Sequence, residues 1–147
     1  MQKLIVYLAI TLTACSSDGP TLPETGAATI GKIYWSDGDS GRLDGMAFRL
    51  ANVDAPETGA VNANSGGAKC EKERERGYLA KEFIVSLTGT ASISITKSNG
   101  PDRYDREVVE LSADGIDVAK AGIEAGHLKP WPHENGRALS AKPDWCG

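Results

Sequence analysis

FRLANVDAPET, residues 48–58, opens as a strand and closes as something else. Phe48, Leu50 and Val53 suit a core, yet Arg49 leaves a charge inside the apolar run. Pro56 restricts Ala55 to extended geometry, so the chain leaves Asp54 in a fixed direction and displays Glu57 just beyond it. A small core strand that carries an arginine and ends in two carboxylates fixed by a proline is arranged for chemistry as well as for packing.

The surrounding patterns supply its setting. ATIGKIYW, residues 28–35, reads as a strand, and GRLDGMAFRLANV, residues 41–53, contains a hairpin whose Asp44 and Gly45 fit a type I′ turn. Between residues 70 and 87 the period changes: Leu79, Phe83 and Leu87 recur at intervals of four beside Ala80 and Ile84, which predicts an amphipathic helix. CEKERER, residues 70–76, reads as the solvated first turns of that helix. SISITK (92–97) and REVVELS (106–112) alternate as strands around a turn at residues 99–102. A second helix is expected from about Asp117, closed by Gly126, with one short helix near residues 137–141 in an otherwise irregular tail. Pattern alone supports a small mixed β domain. The order of elements matches an OB-type five-stranded barrel with two or three helices.

The first 28 residues read differently. MQKLIVYLAITLTAC has an early lysine and an apolar run too short to span a bilayer, as expected of a signal peptide over residues 1–14. Leu12, Thr13, Ala14 and Cys15 resemble a bacterial lipobox, which predicts lipidation of Cys15; a plain secretory signal is the alternative. Residues 15–28, rich in Ser, Gly, Pro and Thr, suit a flexible tether. Residues 29–147 then form one domain, exported and held at the cell envelope as a lipoprotein, or else periplasmic or secreted.

With Cys15 set aside, Cys70 and Cys146 remain, and in an oxidising compartment they have one way to pair. Two unpaired buried thiols are the alternative. Loss of Lys3 with the leader leaves 15 basic against 20 acidic residues, a formal charge of −5. Proteins that hold nucleic acid through their bulk field are normally basic, so a polyanion here needs a local cationic cluster or a metal ion.

The charged residues at strand ends meet that need as a set. Asp39, in the loop SDGDSG (36–41), and Asp54 offer hard oxygens suited to Ca²⁺. Arg49 and Arg106 suit bidentate contacts to a phosphate, and Glu57 suits a base that orients or deprotonates water. His127 and His133 have no partner motif, and Trp131 suits packing of the tail better than base stacking.

The motifs DGD (37–39), FRLANVDAPET (48–58), DRYDRE (102–107) and ADGIDVAKAGIEAGHLK (113–129) resemble the thermonuclease, or staphylococcal nuclease-like, family in order and spacing. The resemblance implies an OB-fold barrel and a Ca²⁺-dependent nuclease that cuts DNA and RNA with little sequence preference, leaving 3′-phosphate ends. It implies Asp39, Asp54 and the Ala55 carbonyl as calcium ligands, Arg49, Glu57 and Arg106 as catalytic residues, and Arg103 and Tyr104 as substrate contacts. Three features depart from the family: a shorter hairpin at Asp44 and Gly45, Asp105 where a small residue would repel phosphate less, and few lysines in the loop at residues 59–69. No obligate protein partner is evident. A non-catalytic surface OB module that binds nucleic acid or protein is the alternative, disfavoured because a pure binder has no use for Glu57 beside a phosphate.

Overall fold

The structure, a computed structural model, describes residues 29–147. The expected leader, the expected lipidation at Cys15 and the expected tether lie outside the described residues. The chain forms β1 (Thr29–Ile30), β2 (Ile33–Trp35), β3 (Ser40–Leu43), β4 (Met46–Leu50), β5 (Val53–Asp54) and α1 (Glu71–Thr88). There follow β6 (Ile93–Pro101), β7 (Glu107–Ala113), β8 (Ile116–Asp117), α2 (Val118–Glu124), β9 (Lys129–Pro130), β10 (His133–Glu134) and β11 (Arg137–Ala138).

The main sheet runs β1-β6-β7-β4-β3-β2, with β8 added beside β7. The first expected strand is therefore two short ones, whose halves pair at opposite ends of this path. The sheet is therefore open and not the closed five-stranded barrel expected: its edge strands β1 and β2 are joined only by the chain through Gly31 and Lys32. Asp44 holds this break, accepting from the Lys32 N–H at 2.7 Å and the Gly31 N–H at 3.1 Å. Asp44 and Gly45 both have positive φ, as a type I′ turn requires. The parallel pairing of β4 with β7 sets Arg49 opposite Val108. Phe48 and Leu50 fill the core with Ile84, Val109 and Leu111, so Arg49, between them, projects from the other face of β4. This is the OB-fold, carrying two helices.

Helix α1 packs on a seam one residue away from the expected stripe. Gly77, Ala80, Ile84 and Thr88 are buried, Phe83 and Leu87 flank the core, and Leu79 is exposed. Small residues win the seam because the helix crosses backbone closely: a Cβ on Gly77 would collide with the carbonyl oxygens of Pro56 and Glu57. Two further expectations are corrected. Strand β6 continues to Pro101, so the turn lies at residues 102–106, closed by Asp102 and Asp105 N–H donors and the positive φ of Asp105. The tail forms a hairpin of β10 and β11 instead of a helix, because Asn135 and Gly136 provide a two-residue loop with positive φ. Asp117 caps α2 by accepting from the Lys120 N–H at 2.9 Å, and Gly126 at φ 76° ends it as expected. Cys70 and Cys146 are bonded, fastening the tail to the start of α1.

Candidate active site

Within the loop between β2 and β3, Asp37 accepts from the Asp39 and Ser40 N–H groups and from the Ser40 hydroxyl. Asp37 thus holds the turn, while Asp39 turns inward and is buried. Gly38 is required there: a Cβ would sit 2.9 Å from those of both Ala55 and Ala80. The Ala55 N–H donates to Asp39 Oδ2 at 3.1 Å, so the loop and the DAPE segment meet.

Arg49 joins them. Its Nη2 lies 3.3 Å from Asp39 Oδ2 and 3.8 Å from Asp54 Oδ1, and donates to the Val53 carbonyl at 3.1 Å. The guanidinium also lies 5.4 Å over the Trp131 ring. Asp54 is buried on β5, where Trp145 Nε1 donates to its Oδ2 at 2.9 Å. Glu57, half-buried, takes the Lys142 ammonium at 2.7 Å, and Lys142 Nζ lies 3.5 Å from Asp54 Oδ1. Behind Glu57, the buried Glu73 accepts from the Glu57 N–H at 3.5 Å and the Lys69 N–H at 2.7 Å.

The second arginine is positioned locally. Asp102 Oδ2 accepts from Arg106 Nε at 2.9 Å and Nη2 at 2.7 Å, while its Oδ1 accepts from the Tyr104 and Arg106 N–H groups. The exposed Tyr104 ring stacks against the Arg103 and Arg106 guanidinium groups, at 4.7 and 5.4 Å. A cavity of about 900 Å³ brings Arg49, Arg103, Tyr104, Arg106, Trp131 and His133 together. Arg49 both lines this cavity and touches the carboxylates, linking the two halves of the site. Asp105, in the left-handed region at φ 59°, serves the turn.

Burial dominates the electrostatics of the carboxylates. Desolvation pushes Asp39 up to about 8, against the pull of Arg49 and with help from Asp37 and Asp54. Asp54 is also raised, first by burial, which outweighs the Trp145 hydrogen bond and the Lys142 and Arg49 charges. For Lys142, burial lowers the pKa, but the Glu57 hydrogen bond and the Asp54, Glu57 and Asp39 charges together raise it. Asp102 is lowered because its bonds from Arg106 and Tyr104 outweigh desolvation.

Among the described residues, no group of three or more His, Cys, Asp or Glu forms a metal cluster. Asp39 and Asp54, both buried and both within 3.8 Å of Arg49 Nη2, offer hard oxygens of the kind a divalent cation takes. Two buried carboxylates that are costly to ionise gain from such a cation, and calcium chemistry accepts carbonyl and water oxygens beside them.

Sequence reading missed four participants. Asp102 lay in the supposed turn and Glu73 in the supposed solvated run; Lys142 and Trp145 lay in a tail with no pattern. The Cys70–Cys146 pairing was the available signal for the last two, since it draws residues near 146 toward the helix that supports Glu57.

The fold and site define a class: an OB-fold protein with a cation-lined cavity and buried carboxylates joined through one arginine. The family model for staphylococcal nuclease homologue matches residues 47–130, and the chain belongs to that family. A comparison with curated proteins finds no match. The matched span holds Arg49, Asp54, Ala55, Glu57, Arg103, Tyr104 and Arg106, whereas Asp39 and Lys142 fall outside it. Membership indicates a nuclease-type hydrolase.

Proposed function

We propose that this protein is an exported, calcium-dependent nuclease that hydrolyses phosphodiester bonds of DNA and RNA with low sequence specificity, leaving 3′-phosphate ends. The observation that carries the reading is Arg49, which touches Asp39 and Asp54 while lining the cavity shared with Arg106 and Tyr104. Asp39, Asp54 and the Ala55 carbonyl would hold the calcium ion, which supplies positive charge against the phosphoryl oxygens when bound.

The chain's own groups do the rest. Arg49 and Arg106 bind the scissile phosphate and offset the charge that builds on it during attack. Arg106 does so while Asp102 fixes the direction of its guanidinium. Glu57 takes a proton from the attacking water. Arg103 and Tyr104 contact the neighbouring nucleotide, the exposed ring offering a stacking face that tolerates any base. With a formal charge of −5 after leader removal, this local cluster and not the overall field must hold the polyanion.

The test is direct: purified protein is incubated with single-stranded DNA and RNA in Ca²⁺, in Mg²⁺ and in chelator. Cleavage in Ca²⁺ that chelator abolishes is expected; no cleavage under any condition would favour a binding module. Export and anchoring through Cys15 belong to the same proposal. Among the described residues no helix is long and apolar enough to cross a membrane. Cys15→Ala should remove the lipid mass from the protein, and a lipid-bearing mutant would contradict the anchor.

A further inference from the structure

We infer that the C-terminal segment carries the carboxylate site's own cation: the Lys142 ammonium holds Asp54 and Glu57, and a divalent ion enters by displacing it. The inference rests on the metal half of the function proposed above. Lys142 Nζ stands 2.7 Å from Glu57 Oε1 and 3.5 Å from Asp54 Oδ1, touching one proposed calcium ligand and the proposed base together.

This contact differs from an incidental surface pair. The Lys120 and Glu124 side chains are 73% and 66% exposed, and such pairs contribute little. Lys142 is 34% exposed and Asp54 2%, so the ammonium is half inside a site whose carboxylate is fully inside. The segment is also fastened just beyond Lys142. Trp145 Nε1 donates to the same Asp54, Arg76 Nη1 donates to the Trp145 carbonyl at 2.7 Å, and Cys146 is bonded to Cys70. The backbone is thereby held while the flexible four-carbon stem of Lys142 remains free to turn toward solvent.

Charge balance gives the displacement its direction. With metal bound and Asp39, Asp54 and Glu57 all ionised, the three carboxylates face the two positive charges of Arg49 and Lys142. A divalent ion added to that set makes the cluster net positive, whereas exchanging Lys142 for the ion makes it neutral. Two cations sharing Asp54 repel each other across a few ångströms in a partly dry site, where such repulsion is far stronger than in water. The released ammonium also frees Glu57 Oε1 to accept from water. Lys142 is thus a positioning residue that keeps Glu57 paired until metal arrives.

Calcium binding measured by titration calorimetry with CaCl₂, separately from cleavage, tests this on the wild-type protein, Lys142→Met and Lys142→Arg. Lys142→Met should bind calcium at least about tenfold more tightly than wild type, while Lys142→Arg, which keeps the charge, should stay near wild type. Equal affinities in wild type and Lys142→Met, or equal tightening in Lys142→Arg, overturn the inference and leave the metal reading intact. Calcium bound by none of the three removes both. A second measurement needs no substitution: amine-labelling of wild-type protein, mapped by mass spectrometry, should modify Lys142 several-fold faster in calcium than in chelator. An unchanged rate in protein that calorimetry shows to bind calcium would overturn the displacement.

Discussion

Asp54 takes its partners from the far end of the chain, Trp145 being 91 residues away, whereas Arg106 finds Asp102 only four residues back. The carboxylate side of the site is buried and assembled from β5, the loop before β3, α1 and the tail. The arginine side is a half-exposed turn that largely holds itself. The difference teaches where function and stability are coupled. On the carboxylate side, changes at the buried Asp39 and Asp54 should alter folding and metal binding as well as chemistry; on the turn, chemistry should change almost alone.

The largest expected effect is that of Glu57→Gln. It keeps shape but removes the base, so turnover should fall by about two to four orders of magnitude with little change in substrate affinity. Single-turnover cleavage and equilibrium binding of single-stranded DNA, measured side by side, check it. Arg106→Lys comes next, with an expected loss of about 10²–10³ in turnover, because lysine keeps the charge but loses the two-pronged geometry. Its melting temperature should barely move, since the pair with Asp102 is local and partly exposed. A large drop in melting temperature would erase the proposed contrast.

Stability measurements sharpen the same contrast from the other side. Reduction of Cys70–Cys146, which closes a loop with a sequence separation of 76, should cost on the order of 4 kcal/mol by the chain-entropy model. Denaturant titration with and without reductant reads this, and free thiols in the native oxidised protein would contradict the bridge. A further stability effect is expected from pH. Folding raises Asp39 from its ordinary 3.8 to about 8, so between these values the folded state holds the extra proton. Unfolding free energy in chelator should therefore fall as pH rises from about 4 to about 8, and calcium should flatten that slope. A metal-free slope of opposite sign would contradict the burial of Asp39 as the dominant cost.

What the sequence revealed follows the same division between local and distant. The hairpin at Asp44 and Gly45, the cap at Asp117 and the stop at Gly126 are short-range events, and each was readable from a few neighbours. The DAPE segment was readable because proline fixes its direction. The face of α1 was not, since its seam is set by how closely residues 56–57 and the loop at Gly38 approach the helix. Asn135 and Gly136 did carry a local hairpin signal, which the helix expected near residues 137–141 passed over. Lys142 and Trp145 have no local pattern. Their place follows from a disulfide and from hydrogen bonds across most of the chain, which no periodicity encodes.

The division of labour in the site is tested most directly by cleavage of single-stranded DNA across a calcium titration, comparing wild type, Asp54→Asn and Glu57→Gln. Asp54→Asn should shift the calcium requirement upward and recover much of its activity at high calcium, because it weakens the metal and leaves the base. Glu57→Gln should stay impaired at every concentration. If excess calcium rescues both variants alike, or Glu57→Gln cleaves at the wild-type rate, the roles assigned to these two carboxylates are wrong.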